Sequence, residues 1–456
     1  MTKHLFHVKT AQIRLFCAIA VISLLSCEKF LDEKSDKKIA TPSSLDDLSL
    51  MLDNYSVLNA RNPSAGEISS DDFYITASDF QSLNERERSF YSWQKYDLTA
   101  GDWSSPYNNI LHANVILENV EKFKEENRTL ANTIMGKALF LRAFNHFTLS
   151  QLYASSFDQN TADSDLGIPI RTTSDHDIRP FRATNLETYS AILNDVLEAI
   201  PLLPGSLEQK QHGSRPAAYG LLARVYLSMR YYEKAEIYAD SCLRHYDKLI
   251  DYNTINPNIS IPFPQRNEEV IFDARSASPS ILTRGRAKVD TVLLSKYEDW
   301  DLRKSIFFLS NANGSKAFKG SYTGLSTSSI FVGLATDEIY LIRAECFARR
   351  GKIAEAMADL NHLMRHRYNN NRPFIPFTAS SADDALNIIL MERRKELLFR
   401  GIRWSDLRRL NMENSTKTIL TRFIDGKEYK LLPKSSQYVL QIPRESIEFS
   451  GMEQNP

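Results

Sequence analysis

The chain has 456 residues and carries 56 lysine and arginine residues against 56 aspartate and glutamate residues, so its formal net charge is zero. This balance argues against a nucleic-acid-binding protein, which needs a basic surface to neutralise phosphates, and against a polybasic membrane-surface protein. Charged residues make up 25% of the chain and hydrophobic residues 43%, which is ordinary for a folded globular protein and argues against extensive disorder.

The N-terminal segment has the pattern of a bacterial export signal. Residues 1–26 contain three basic residues and no carboxylate, and an apolar run extends from Leu15 to Leu25. Because this run is too short to span a bilayer, residues 1–26 are predicted to be a secretory signal peptide. The run ends in Leu24-Leu25-Ser26-Cys27, which resembles the bacterial lipoprotein box, so Cys27 is the predicted lipidation site. An ordinary signal peptide followed by a chance cysteine is the alternative.

The residues after Cys27 are charged and poor in apolar side chains. This composition suits a solvated chain, so residues 27–40 are predicted to be a lipidated flexible tether in front of a single domain over residues 41–456. No later segment reaches the roughly 18 apolar residues of a spanning helix, so the lipid is the only membrane attachment predicted. Cys242 and Cys346 lie in apolar helical patterns, where buried free thiols are favoured, although a disulfide stays open.

Apolar residues recur at spacings of three and four through most of the mature chain, which predicts a mainly helical protein. The predicted helices cover residues 105–123, 130–153, 187–203, 215–229, 232–246, 337–349, 353–368, 382–399 and 403–411. The pattern fails between Ile255 and Thr336, so residues 255–336 are predicted to be a loop-rich variable region, in which Val270-Ile271-Phe272 could form a strand. Asp425-Gly426, flanked by alternating residues, predicts a tight hairpin over residues 423–429.

Two helix pairs share a spacing close to that of tetratricopeptide repeats, in which small residues let two helices approach and aromatic residues fill the gap beside them. In the first pair, the residues at relative positions 4, 7, 8, 11 and 20 are Tyr219, Leu222, Ala223, Tyr226 and Ala235. In the second, the residues at positions 4, 8, 11, 15 and 20 are Tyr340, Ala344, Phe347, Gly351 and Ala356. Arg343 stands where position 7 should hold leucine. Because equivalent positions of the two pairs lie more than a hundred residues apart, a continuous solenoid is not predicted, and an ordinary helical bundle is the alternative.

A search for catalytic and metal-binding motifs is largely negative, since the chain lacks the usual nucleotide-binding, zinc-protease and hydrolase signatures. His362 and His366 lie one helical turn apart, but no third ligand is evident and the neighbouring arginines disfavour a metal ion. The acidic loop from Asp158 to Asp165 does not fit the calcium-loop template. The pair Asp71-Asp72 does not define the carboxylate separation that a glycoside hydrolase needs. The residues alone therefore predict no metal and no cofactor.

The most highly charged segment runs from Met391 to Arg409. Glu392 with Glu396, and Glu396 with Arg400, are spaced as neighbours on one helix face, and Gly401 is the predicted end of that helix. The segment could bind an anionic ligand or form an ion-pair network that holds a helix corner together. Its mixed signs favour the ion-pair network.

This segment also carries a family resemblance. It resembles the ERRxEL run, followed by Phe, an acidic residue, Gly, Arg-Trp, Asp-Leu and Arg, of the SusD/RagB-type nutrient-binding outer-membrane lipoproteins of Bacteroidetes-like bacteria. Further similar segments occur in the family's order, at residues 136–144, 168–170, 202–204, 218–227, 338–345 and 454–456. Arg400 stands where the family usually has glutamate, which suggests a rewired ion pair, and Ala154 replaces a common glycine. The resemblance implies an all-α, SusD-like fold with irregular tetratricopeptide-like pairs and small β-hairpins, with the family hallmark in residues 382–456.

The resemblance implies a non-enzymatic binding role at the outer membrane. Such proteins capture an oligosaccharide, or less often a peptide, at the cell surface and deliver it to a SusC-like TonB-dependent transporter. A lipoprotein glycoside hydrolase and a tetratricopeptide-type adaptor are the alternatives. Removing residues 1–26 leaves 53 basic against 56 acidic residues, a balance that excludes nucleic acid and favours neutral sugars over polyanions.

Ligand residues do not belong to the shared motifs of this family, so they are predicted only from loops that contain aromatic residues. Aromatic faces stack on sugar rings, and neighbouring polar groups bond to hydroxyls. The predicted ligand residues are Asp72, Phe73, Tyr74, Phe80, Tyr297, Trp300 and Tyr322. Each could instead pack in the core. Trp93, Trp103 and Trp404 are assigned to packing.

Overall fold

Helices form most of the regular structure in the computed structural model, which describes residues 42–98 and 100–456. Residues 44–456 belong to one compact unit. Within the described ranges, no helix combines the length and the apolar character needed to cross a membrane. The predicted signal peptide over residues 1–26, the lipid site at Cys27 and the tether over residues 27–40 lie outside the described residues.

The helices, numbered in chain order, are α1 (Leu45–Leu52), α2 (Tyr55–Leu58), α3 (Ala65–Ser69), α4 (Ala77–Gln81), α5 (Glu85–Tyr91), α6 (Gly101–Val120), α7 (Arg128–Tyr153), α8 (Asn185–Ala199), α9 (Arg215–Ser228), α10 (Tyr232–His245), α11 (Thr291–Leu294), α12 (Arg303–Ile306), α13 (Thr336–Arg349), α14 (Ile353–Arg365), α15 (Ala382–Glu396), α16 (Arg403–Leu410) and α17 (Arg444–Ser450). All nine predicted helices are present, with ends within four residues of the prediction. The remaining eight have at most eight residues, too few to display a clear helical period.

The strands are β1 (Phe73–Tyr74), β2 (Val270–Phe272), β3 (Lys288–Val289), β4 (Phe308–Ser310), β5 (Lys316–Phe318), β6 (Leu334–Ala335), β7 (Leu420–Ile424) and β8 (Lys427–Leu431). They pair antiparallel as β1–β3, β2–β6, β4–β5 and β7–β8. The predicted strand at residues 270–272 and the predicted hairpin are both confirmed. Asp425 and Gly426 both have positive φ, the conformation of a tight two-residue hairpin turn.

The long helices pack against their neighbours in a continuous order. α7 lies between α6 and α8, α9 packs on α10, α10 packs on α13, and α13 contacts α14 and α15. The two tetratricopeptide-like pairs, α9–α10 and α13–α14, are therefore adjacent in space although residues 246–335 separate them in sequence. The pairs thus stack directly on one another without a continuous run of repeats in the sequence. Cys242 and Cys346 are free buried thiols on α10 and α13.

The turns of the two pairs have the same backbone geometry. Arg230 and Gly351 occupy the same relative position and have φ of 63° and 74°. Tyr231 and Lys352, which follow them, both have φ −86° and ψ 69°. This agreement supports a repeat relationship between the pairs, beyond the shared use of small residues at helix contacts.

The ion pairs of Arg343 explain why this position departs from the leucine of the repeat pattern. Its guanidinium donates to Asp359 of α14 at 2.7 Å and to Asp240 of α10 at 2.9 Å. A leucine at this position could pack between helices, but it could not join the two pairs through charge. The substitution therefore replaces an apolar contact with an ion-pair link between consecutive repeats.

Candidate functional site

The charged segment at residues 391–409 lies in the interior, where it forms a network of ion pairs that we call the clamp. Arg303 on α12 has no exposed surface and donates to Asp301 at 2.8 Å, Glu392 at 2.6 Å and Glu396 at 2.9 Å. Arg367 donates to Glu396 and to Glu269, both at 2.7 Å. The clamp thus joins α15 to the loop-rich region and to the end of α14.

The clamp extends to the N-terminal part of the chain and to α13. Arg403 donates to Asp71 at 2.6 Å, which fastens α16 to the segment before β1. Arg409 donates to Asp406 at 2.9 Å and to Glu345 at 2.6 Å. These contacts confirm the predicted ion-pair network, because several charged side chains of the segment pair with oppositely charged groups within the protein.

The predicted pairing of Glu396 with Arg400 is wrong. α15 ends at Glu396, and Phe399 takes a positive φ of 53°, so the helical spacing does not continue to Arg400. Arg400 instead donates to Asp337 at 2.9 Å and lies over the ring of Tyr322, 4.3 Å from its centroid. Arg400 therefore has its own carboxylate partner on α13.

Three buried carboxylates meet within the clamp. Oxygen atoms of Glu269, Asp337 and Glu396 lie within 4.8 Å of one another, an arrangement that could hold a metal ion. Arginines already supply the balancing charge, since Arg367 pairs with Glu269 and Glu396, and Arg400 pairs with Asp337. The tight ion pairs favour a structural role for these acids over a cation site.

Four of the seven predicted ligand residues lie in the interior. Asp72, Phe73, Tyr297 and Tyr322 are each at most 3% exposed. Phe73 packs against Tyr91 and Phe399, while the Tyr297 hydroxyl donates to the Lys395 carbonyl at 2.7 Å. The Tyr322 hydroxyl donates to Glu269 at 2.5 Å. This burial corrects the prediction for these four residues, because a ligand at the surface of this structure cannot touch them.

The other three predicted residues lie on separate elements. Tyr74 in β1 is 39% exposed and Trp300, before α12, is 40% exposed. Trp300 already stacks on Arg372, whose guanidinium carbon lies 4.5 Å from the ring centroid. Phe80 on α4 is partly buried and packs against Tyr91. A ligand-binding role for these three residues stays a prediction, and none of them lines the cleft described next.

A cleft of about 450 Å³ opens between α6, the loop at residues 169–180, and the segment around α17. Its volume lies within the range of small-molecule binding sites. The lining combines aromatic and aliphatic surface with amide, hydroxyl, imidazole and guanidinium groups. The lining residues are Trp103, Tyr107, Asn108, Leu111, Asn114, Pro169, Arg171, Thr173, His176, Pro180, Ser446, Phe449 and Met452.

Aromatic residues form one wall of the cleft and part of its opposite side. Trp103 and Tyr107 lie one turn apart on α6 with ring centroids 4.8 Å apart, and Trp103 also packs edge-on against Tyr153. The Tyr107 hydroxyl donates to the Pro169 carbonyl at 2.8 Å, which fixes its ring. Phe449 on α17 is 65% exposed. Rigid aromatic faces of this kind can bind the apolar faces of a ligand.

Hydrogen bonds hold the loop of the cleft in place. Asn114 on α6 donates to the carbonyls of Arg171 and Thr173 at 3.2 and 3.0 Å. Glu118, one turn further along α6, accepts from the Thr173 hydroxyl and the Ser174 backbone at 2.8 and 2.7 Å. Arg179 donates to the Phe449 carbonyl at 3.2 Å, joining the loop to α17. The cleft is therefore already shaped before a ligand binds, which lowers the entropic cost of binding.

The sequence did not reveal this cleft, because its walls come from three segments that lie far apart in the chain. The sequence assigns Trp103 to packing, and its low exposure of 7% agrees with that assignment. Part of its ring nevertheless lines the cleft. The helical spacing of Trp103 and Tyr107 was the available signal. That spacing could not show which loop would lie opposite.

Comparisons with known proteins identify the family. A family model described as "Starch-binding associating with outer membrane" matches residues 29–227, and a model described as "SusD family" matches residues 334–456. The chain belongs to the SusD family. The SusD-like protein P2 of Formosa agariphila is 22% identical over 370 residues, which cover 68% of this chain and 72% of that relative.

Solved SusD-like structures share the fold. A putative sugar-binding protein from Bacteroides vulgatus superposes with a TM-score of 0.74 at 22% identity, covering 92% of this chain and 99% of that one. A SusD superfamily protein from Bacteroides thetaiotaomicron gives a TM-score of 0.74 at 20% identity, covering 91% and 100% of the two chains. A laminarin-binding SusD-like protein gives 0.62 at 18% identity, covering 90% and 97%. At these identities the likeness establishes the SusD-like fold.

Proposed function

We propose that this protein binds a glycan at the cell surface and delivers it to a SusC-like TonB-dependent transporter, without catalysing a reaction. The cleft between α6, residues 169–180 and α17 is the observation that carries this proposal. It offers aromatic faces for sugar rings and polar groups for hydroxyls in a loop that is already ordered. The family descriptions, which refer to starch binding and the outer membrane, support the same role.

The cleft argues against the hydrolase alternative. Glycoside hydrolysis needs two carboxyl groups at a defined separation around the scissile bond, and among the residues that the structure describes no aspartate or glutamate lines the cleft. Asp71 and Asp72, the adjacent acids considered from the sequence, face the clamp. Asp71 accepts from Arg403, and Asp72 is 1% exposed. Binding is therefore the activity that this site supports.

The adaptor alternative has a specific structural basis in the tetratricopeptide-like pairs. The small residues at their helix contacts are fully buried, namely Ala223, Ala235, Ala344 and Ala356. These residues build the scaffold and leave ligand recognition to other surfaces. A protein partner could bind the scaffold while a glycan occupies the cleft, which agrees with the proposed partnership with a transporter.

Exchange of exposed phenylalanines tests the glycan site. Phe449→Ala removes an aromatic face from the cleft, and Phe423→Ala removes a 74% exposed ring from the β7–β8 hairpin. Affinity electrophoresis against neutral and acidic polysaccharides should show that Phe449→Ala weakens binding about tenfold, equivalent to about 1.4 kcal/mol, while Phe423→Ala binds as the parent does. Equal retardation of both variants would exclude this cleft as the glycan site.

Anchoring and partnership need separate tests. Lipidation at Cys27 should be visible as metabolic labelling with a fatty-acid analogue, and Cys27→Ala should abolish the label.

A tagged chain should co-purify a large β-barrel transporter from detergent-solubilised outer membranes. Recovery of the protein without a transporter, from membranes that contain one, would contradict the delivery role while leaving glycan binding intact.

A further inference from the structure

The ionisable residues that line the cleft are basic. Its lining includes Arg171 and His176, but no carboxylate side chain. This local composition differs from that of the whole mature chain, where acidic residues slightly outnumber basic ones. The charge that a ligand meets depends on the groups within a few ångströms, because water and salt screen more distant charges.

Two arginines beside the cleft are held by backbone carbonyl groups. Arg171 donates to the Ile178 and Asp175 carbonyls at 2.6 and 2.5 Å, and Arg182 donates to the Gly167 carbonyl at 2.6 Å. Within residues 42–98 and 100–456, neither guanidinium forms an ion pair with a carboxylate. Carbonyl groups orient these cations without cancelling their charge. Positive charge therefore remains at Arg171 in the cleft lining and at Arg182 beside it.

The Tyr107 hydroxyl lies close enough to both arginines to sense that charge. Burial raises the pKa of Tyr107, while the charges of Arg182 and Arg171 act to lower it. Tyr107 forms part of the aromatic wall. A ligand stacked on that wall therefore lies near two cations.

Two acidic residues near the loop, Glu118 and Asp175, accept hydrogen bonds within it. Hydrogen bonds from Ser174 and Thr173 hold the pKa of Glu118 below its usual range, which shows that its charge is bound to the loop. The Asp175 carboxylate accepts from the Asp177 backbone at 2.9 Å. Glu453 acts on Arg182 from the C-terminal segment, and none of these acids lines the cleft.

We infer that the cleft selects a glycan that carries anionic groups, either the carboxylates of uronic acids or sulfate esters. This inference rests on the proposed function and adds the chemical class of the ligand. Sugar rings would stack between the α6 wall and Phe449, and the anionic substituent would lie toward Arg171. It reverses, for this site, the preference for neutral sugars expected from the charge of the whole chain.

Matched polymers test the inference without any change to the protein. The purified chain would be titrated by calorimetry with oligogalacturonate, with the same oligomer after its carboxyl groups are reduced, with a sulfated carrageenan oligomer and with neutral laminarin. We expect a charged oligomer to bind at least tenfold more tightly than reduced oligogalacturonate or laminarin, and the advantage should shrink as salt rises. The carboxylate and sulfate arms identify which anion is preferred.

Variants of Arg171 locate the effect. Arg171→Met should abolish the preference for the charged oligomer, and Arg171→Lys, which retains the charge, should keep most of it. Arg244→Met removes a 76% exposed side chain on α10, outside the cleft lining, and should change nothing. Binding of laminarin by Arg171→Met would show that the loop remains folded.

Two results would overturn the inference, and they are distinguishable. Equal affinity for charged and reduced oligomers, with Phe449→Ala weakening both, would reject anion selection and leave glycan binding in place. Failure of every polymer to bind would reject the proposed glycan function together with the inference.

Discussion

At the scale of single residues, buried ion pairs contribute strongly to the stability of the folded protein. Arg303 contacts three carboxylates without exposure to water. Removing it would leave only Lys395 and Arg367 to balance the buried charges of Asp301, Glu392 and Glu396. Breaking one partner of a buried network costs far more than breaking an exposed pair, because the remaining charges stay desolvated.

We expect Arg303→Met to lower the free energy of unfolding by ~3–5 kcal/mol, measured by urea denaturation. The control is Lys304→Met, because Lys304 is the next residue and pairs with Asp299, whose side chain is 89% exposed. That exposed pair should contribute little to stability, because water screens its charges. Similar losses in the two variants would contradict the view that burial gives the clamp its importance.

Asp71 and Asp72 should affect the pH dependence of stability in opposite directions. Burial and the neighbouring Asp71 raise the pKa of Asp72 from 3.8 to about 7, although Arg394 acts against the shift. The folded state therefore binds this proton more tightly, and stability falls as pH rises between these two values. Asp71 behaves in the reverse way, because Arg403 and Arg394 hold its pKa below the usual range despite burial. Its contribution is present above pH 3.8 and is lost on acidification.

Urea unfolding of Asp72→Asn and Asp71→Asn over a pH series that extends from 8 to well below 3.8 checks these signs. We expect Asp72→Asn to flatten the decline in stability and to be relatively most stable at pH 8. We expect Asp71→Asn to be destabilised most at neutral pH and least under acid conditions. Parallel profiles for the two variants would show that the adjacent carboxylates share one environment.

At the scale of secondary-structure elements, the repeat turns allow a comparison within one chain. Arg230 and Gly351 occupy matching positions with positive φ, a conformation that costs residues other than glycine about 1–2 kcal/mol. Arg230 also has a buried guanidinium nitrogen without a hydrogen-bond partner. A Cβ atom at Gly351 would meet nothing within 4 Å, so substitution there tests backbone conformation without a clash.

Arg230→Gly is expected to raise the thermal midpoint, with a gain of about 0.5–1 kcal/mol after the added freedom of the unfolded chain is counted. Gly351→Ala is expected to lower stability by about 1 kcal/mol. Differential scanning calorimetry would measure both changes. A loss of stability in Arg230→Gly, or a gain in Gly351→Ala, would contradict the view that positive φ carries the same cost in both turns.

The elements also show what the sequence could predict. Regular spacing located nine of the described helices, including every one longer than eight residues, and Asp425-Gly426 located the hairpin, because these signals act between residues close in sequence. The partner of Arg400 could not be predicted, since a positive φ at Phe399 interrupts the helical spacing. The burial of Tyr297 and Tyr322 likewise depends on distant residues, Lys395 and Glu269.

At the scale of the whole molecule, contacts between distant segments make the described unit interdependent. Trp404 on α16 packs against Tyr438, while Arg403 beside it bonds to Asp71 near the N-terminal side. The cleft is likewise formed by segments that are distant in sequence, because Asn114, Thr173 and Phe449 come from three separate regions. This is why the sequence identified the family segments and the helices but not the candidate ligand site.

Residues 44–456 are therefore expected to unfold as one cooperative unit. Far-ultraviolet circular dichroism and tryptophan fluorescence should report the same urea midpoint, because the packing of Trp93, Trp103 and Trp404 depends on the same interior. Arg303→Met should shift both midpoints together. Separate midpoints would indicate that the helical pairs remain folded after the clamp has opened.

The bond between Arg403 and Asp71 also has a consequence for the order in which the chain folds. These residues are 332 positions apart, so the N-terminal segment must wait for α16 before it can reach its final partners. Contacts of such long range form late and slow folding. A growing chain would stay incompletely folded until most of it had been synthesised, a state suited to passage through a narrow translocation channel.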